Sequence, residues 1–178
     1  MCLCIAFMFT ACSTESSVTT ETTVSVSTNE LQDLIEKGDK SLDAGKFDEA
    51  IKNYDEALKI DSESAYAYNA RGIAYSQKGD YDNAIKDFSQ TIKLEPKDAQ
   101  GYSNRGLAYT QKGETKKALE DFNKAIELDP KYVQTYNNRG TLYVSTNENE
   151  KAIVDFKKAI ELDPNNKDAQ NNLKKLSQ

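Results

Sequence analysis

Residues 99–132 read AQGYSNRGLAYTQKGETKKALEDFNKAIELDPKY, and residues 133–166 read VQTYNNRGTLYVSTNENEKAIVDFKKAIELDPNN. Laid one above the other, Gly106 falls on Gly140, Ala118 on Ala152, Phe122 on Phe156 and Pro130 on Pro164. The register extends upstream without an insertion, so four 34-residue units (31–64, 65–98, 99–132 and 133–166) run from Leu31 to Asn166. Ala50 and Ala84 take the alanine place in the first two units, Tyr54 and Phe88 the aromatic place, and Gly38 and Gly72 the glycine place. A fixed period of this length marks a repeat array, in which one small unit recurs and neighbours bury each other's apolar face.

Within each unit, apolar and small residues recur at helical spacing in two segments separated by a turn. The turn falls at Gly45, Gly79, Gly113 and Asn147, the residue types that best tolerate positive φ. Pro96, Pro130 and Pro164 close the later units, where proline stops one helix and opens the way to the next, and Ser62 stands there in the first. Each unit therefore reads as a helix–turn–helix hairpin.

Unit three carries Tyr102, Gly106, Tyr109, Ala118, Phe122, Ala125 and Pro130; unit four carries Tyr136, Gly140, Tyr143, Ala152, Phe156, Ala159 and Pro164. Unit two differs in having Thr91 for the second alanine, and Arg71, Arg105 and Arg139 stand where a leucine is usual. This pattern resembles the tetratricopeptide repeat. The resemblance implies an all-α, right-handed α-α superhelix over residues 30–178, with a capping helix at 167–178. Ala169, Leu173 and Leu176 are expected to cover unit four while Lys167, Lys174 and Lys175 face water. Leu34, Lys37 and Ser41 are expected to give unit one a polar outer face, as terminal repeats require. The arginine row is expected to pack between helices, each stem buried and each guanidinium meeting a carboxylate.

The composition narrows the chemistry. The chain has 178 residues, no histidine and no tryptophan, and its three cysteines all lie in the first twelve residues. No Ser/His/Asp or Cys/His relay can be built, and zinc loses its commonest ligands. No cofactor or metal is expected, and no enzymatic activity. This repeat also decorates enzymes, a case that predicts a longer reading frame carrying a catalytic domain. A formal charge of −6 and a pI near 4.9 argue against a nucleic-acid partner, which calls for a clustered basic face. Unit one holds the acid, with ten Asp/Glu against five Lys/Arg.

Residues 1–12 form a separate segment. Cys2 to Phe9 is an apolar run too short for a membrane span, followed by Thr10-Ala11-Cys12-Ser13. This order resembles a bacterial lipoprotein signal, which implies lipidation at Cys12, a membrane anchor and a place in the cell envelope. Phe9 replaces the usual leucine and no basic residue precedes the run, as a start assigned too far downstream would explain. The competing reading is an apolar tail on a cytoplasmic adaptor. Residues 13–29 hold eleven Ser/Thr among seventeen and are expected to form a flexible tether.

The family resemblance places the concave face on the first helix of each unit, at its second, fifth, sixth, ninth, twelfth and thirteenth residues. Unit two offers Tyr66, Asn69, Ala70, Ile73, Ser76 and Gln77 there, unit three Gln100, Ser103, Asn104, Leu107, Thr110 and Gln111, and unit four Gln134, Asn137, Asn138, Thr141, Val144 and Ser145. An amide can donate to and accept from a peptide main chain at once, so Asn69, Asn104, Asn137 and Asn138 are candidates for a ladder gripping an extended peptide or protein segment, with the other positions lining the same groove. The alternative is solvated helix surface. Chaperone-binding members of the family clamp a C-terminal carboxylate with lysine and arginine. The matching places hold Ile35, Asp39, Ala70, Gln100 and Asn104 in one frame, or Asn69, Ile73, Asn104, Gln134 and Asn138 in the next, with no cation.

Overall fold

The computed structural model describes residues 18–176, with side chains from residue 28 on. The expected lipidation segment 1–12, Cys12 and the first residues of the expected tether lie outside the described residues. Among the described residues nine helices run in order: α1 Val18–Asp43, α2 Phe47–Ile60, α3 Ala65–Gln77, α4 Tyr81–Leu94, α5 Ala99–Gln111, α6 Thr115–Leu128, α7 Val133–Ser145, α8 Asn149–Leu162 and α9 Lys167–Leu176. No strand occurs among the described residues, and each helix packs on the next. The architecture is an all-α solenoid of helix pairs with a C-terminal helix.

One expectation is corrected at the start of the array. The Ser/Thr-rich segment is helical from Val18, as the first part of α1, where the sequence predicted a flexible tether up to Asn29. Serine, threonine and valine are weak helix formers, which hid this from the sequence. Propagating a helix already nucleated over Leu31–Asp43 avoids the cost of a new nucleus.

The turns inside the units share one geometry. Gly79 has φ +80°, its N–H donates to the Ser76 carbonyl, and the Asp80 N–H reaches back to the Tyr75 carbonyl at 2.9 Å. This pair of bonds satisfies the last carbonyls of α3 and sets α4 antiparallel to it. Asn147 adopts the same conformation at φ 61° in unit four.

Close approach within a hairpin depends on the glycine two-thirds along its first helix. A Cβ built at Gly106 would stand 2.8 Å from Phe122 Cε1, and one at Gly140 would stand 2.7 Å from Phe156 Cε1. These rings, with Phe88 and Tyr54, are the largest fully buried side chains, and the alanines at their flanks have essentially no exposure. Small residues bring the helices together and the aromatics fill the space they leave.

The contact between units has its own compensation. Ala57 and Ala67, and later Ala159 and Ala169, are fully buried where one unit meets the next. At the second junction the alanines are replaced by Thr91 and Gly101, and a Cβ on Gly101 would meet Thr91 Cγ2 at 3.4 Å and Ile92 Cγ1 at 3.2 Å. The extra bulk on α4 is thus accommodated by the missing side chain on α5. Thr91 also donates to the Asp87 carbonyl at 3.2 Å, so its hydroxyl is satisfied. At the third junction the bulk changes sides: Ala125 faces Thr135, whose hydroxyl donates to Ser103 Oγ at 3.1 Å.

At the ends, Ala169 is fully buried with Tyr136 and Ala159, and Leu173 and Leu176 are half-buried. Lys167, Lys174 and Lys175 are exposed. In unit one Lys37 faces water, paired with Asp33, but Ser41 is buried, so the outer face is less polar than the sequence predicted.

Candidate functional site

The odd-numbered helices form the inner layer. α1 touches α3, α3 touches α5, α5 touches α7 and α7 touches α9, whereas no two even-numbered helices meet among the described residues. Helices crowded together on one side and splayed on the other define a curve with the odd helices on its concave face.

Side chains along this layer do three different things. The first is to join the helices. Asn104 Nδ2 donates to Asn69 Oδ1 at 2.9 Å, and Asn172 Nδ2 donates to Asn137 Oδ1 at 3.3 Å. Both bonds link residues one repeat plus one position apart. Asn137 is buried, contrary to its expected place in the groove, because it lies under α9 and pairs with it. Two of the candidate ladder amides are therefore tied to each other.

The second is to present surface. Gln77, Gln100, Gln111 and Gln134 are exposed, and Gln134 donates to Asn138 at 3.3 Å. Ile73 is half-buried against Ala84, Phe88 and Ala108. Tyr66, Leu107 and Val144, exposed by 54%, 39% and 37%, are three of the five exposed large apolar side chains among the described residues, and all three stand on inner helices. A depression of about 320 Å³ gathers Gln77, Leu107 and Gln111 with Ser76, Tyr81 and Ala108.

The third is to fix a carboxylate at the α1 end. Tyr54 and Tyr66 both donate to Asp39, at 2.7 Å to Oδ1 and 2.8 Å to Oδ2. Partial burial, then the bond and charge of Asp39, push the Tyr66 phenol up to about 12, and the same causes raise Tyr54 further. The sequence did not single out this arrangement; Asp39 and Tyr66 lie 27 residues apart on neighbouring helices.

The arginine row is structural. Arg105 lies between the rings of Tyr102 and Tyr109, 5.8 and 5.9 Å from their centres. Its Nε and Nη2 donate to Asp121, both at 2.8 Å, and Nη1 donates to Ser89 Oγ at 3.0 Å. Arg71 with Asp87 and Arg139 with Asp155 repeat this geometry, reaching back to Asp55 and Asn123. The bond to Asp121 raises the Arg105 pKa, so the guanidinium keeps its charge.

Models of the tetratricopeptide repeat match residues 99–132 and 133–166, and models of the TPR repeat match residues 38–79 and 74–113. The chain belongs to the tetratricopeptide repeat family. The crystal structure of MamA superposes on this TPR chain with a TM-score of 0.68 at 29% identity, covering 78% of this chain and 81% of that one. The Arabidopsis OM64 TPR domain gives 0.62 at 30% identity over 65% of this chain and 95% of that one. The first TPR of Spaghetti (RPAP3), bound to the HSP90 peptide SRMEEVD, gives 0.61 at 32% identity over 66% and 93%. The TPR fold is a non-catalytic protein-interaction scaffold, and some of its members bind peptides. Among the described residues of this TPR chain, no group of three or more His, Cys, Asp or Glu side chains is placed to hold a metal ion. No described helix is long and apolar enough to cross a membrane.

Proposed function

We propose that this chain is a non-enzymatic scaffold that holds an extended segment of a partner protein along its concave face. We further propose that a lipid on Cys12 anchors it in a bacterial cell envelope. The observation that carries the first part is the placement of Tyr66, Leu107 and Val144. Exposed large apolar groups gathered on one concave surface and flanked by amides suit a partner that desolvates them. The amides available to such a partner are Gln77, Gln100, Gln111, Gln134 and Asn138; Asn69, Asn104 and Asn137 serve the joints between helices. The RPAP3 structure contains a chaperone peptide, but the positions of the carboxylate clamp carry no lysine or arginine in this chain. A chaperone tail is therefore not the proposed partner.

A photo-crosslinking amino acid at position 107 tests the groove. It should trap a partner in cells, while the same group at position 154, 66% exposed on the outer helix α8, should not. Equal adducts from both positions, or none from 107, reject the groove. Labelling with a radioactive fatty acid tests the anchor. Label lost on Cys12→Ala supports it, and an unlabelled wild-type protein rejects it in favour of a cytoplasmic adaptor.

A further inference from the structure

The concave face separates its charges by distance. α3, α5 and α7 carry no charged side chain except Arg71, Arg105 and Arg139, and each of these is bonded to its aspartate. Charge returns at both ends with opposite sign. From Thr28 to Asp43, α1 has five acids against two lysines, while α9 has three lysines against one acid. The α1 lysines are neutralised locally, Lys37 by Asp33 and Lys40 by Glu36, which leaves Glu30, Asp39 and Asp43; of these, Asp39 and Asp43 are the two whose charge acts on Tyr66 at the groove end.

The register of the repeats makes this separation specific. α9 continues the period as a fifth inner helix: Ala169 is buried where Thr135 is buried one unit earlier, and Asn172 stands where Asn104 and Asn138 stand. One position then runs through all five inner helices at intervals of 34 residues: Asp39, Ile73, Leu107, Thr141 and Lys175. It reads acid, apolar, apolar, hydroxyl, base. At its acidic end Asp39 is held by two tyrosine hydroxyls, and the exposed Tyr66 ring is thereby fixed beside it. A carboxylate oriented next to an aromatic face suits a lysine or arginine side chain. At the other end Lys175 is exposed and in no ion pair among the described residues.

From this polarity we infer that the occupant of the groove is an extended peptide segment with a basic residue at its α1 end, apolar side chains in the middle and an acidic group at its α9 end. The inference rests on the groove reading above. Four steps between packed helices at about 9 Å each are spanned by roughly ten or eleven extended residues. A second copy of the chain has complementary ends, but a blunt solenoid end cannot follow the concave surface to Leu107 and Val144. A single extended strand can.

A displayed library of random dodecapeptides panned against the full chain tests the inference. Binders should carry Lys/Arg near one end, Asp/Glu near the other and apolar residues between. For a selected binder, Asp43→Asn with Lys175→Gln should weaken affinity about fivefold or more at low salt, and the loss should shrink as salt is raised. The reversed pair, Asp43→Lys with Lys175→Glu, alters exposed side chains and should select peptides of opposite charge order. Binders with no charge order overturn this inference and leave the groove standing. No binders at all overturn both. A concentration-dependent dimer in sedimentation, abolished by Asp43→Asn with Lys175→Gln, would assign the charged ends to a second copy and also overturn it.

Discussion

At the scale of the residue, Arg105 shows how one side chain can join three helices. It leaves α5, grips Asp121 on α6 with two parallel bonds and touches Ser89 on α4. The side chains of Arg105 and Asp121 are only 21% and 8% exposed, so removing one partner leaves a poorly hydrated charge behind. Asp121→Ala should therefore cost about 3–5 kcal/mol. Replacing the pair together, as Arg105→Met with Asp121→Leu, should stay within about 1 kcal/mol of wild type, because apolar packing substitutes well for a buried ion pair. Chemical denaturation followed by helical circular dichroism measures both. A single variant indistinguishable from wild type would show that the pair is ornamental. The same comparison explains why the row was readable in the sequence. An arginine at a packing position needs an anion, and the aspartate sixteen residues on recurs with it.

At the scale of the element, the helices were legible wherever the deciding signal is local. Gly45, Gly79, Gly113 and Asn147 mark turns because the backbone there has positive φ. Pairings between helices were less legible. Asn69 with Asn104 and Asn137 with Asn172 are offset by one position from the repeat period, so an alignment on that period does not bring them together. The helical start at Val18 was hidden by residues that are weak helix formers in isolation. Thr91 illustrates both sides. It appeared as a departure from the repeat, and the structure shows its partner departure at Gly101. Thr91→Ala should cost about 1–2 kcal/mol by opening space beside Gly101. Gly101→Ala gains up to about 1 kcal/mol in helix propensity, which the tight approach to Ile92 Cγ1 at 3.2 Å offsets. The double variant restores the alanine pairing seen at Ala57 and Ala67, so its stability should exceed the sum of the single effects by about 0.5–1 kcal/mol. A double-mutant cycle that closes additively within error would mean that the two positions do not compensate each other.

At the scale of the whole molecule, stability in a solenoid is a chain of neighbour terms, because each unit contacts only the units beside it. Unit four has unit three on one side and α9 on the other, and Tyr136, Ala159 and Ala169 form one buried cluster with Val133, Ile160 and Leu162 around it. Two half-buried leucines and a fully buried alanine on α9 make this contact worth about 2–4 kcal/mol. Deleting residues 167–178 also removes the Asn172 amide from Asn137 Oδ1 and uncovers Asn137 to water, so the deletion loses that hydrogen bond as well as the apolar contact. The loss should fall on α7 and α8 first and fade toward α1, since no contact carries it directly to unit one. Native-state hydrogen exchange resolves this helix by helix. Protection should collapse in α7 and α8, weaken modestly in α5 and α6 and hold in α1 to α4. Uniform loss across all helices would show that the array unfolds as a single cooperative block and that the neighbour-by-neighbour description fails for this chain.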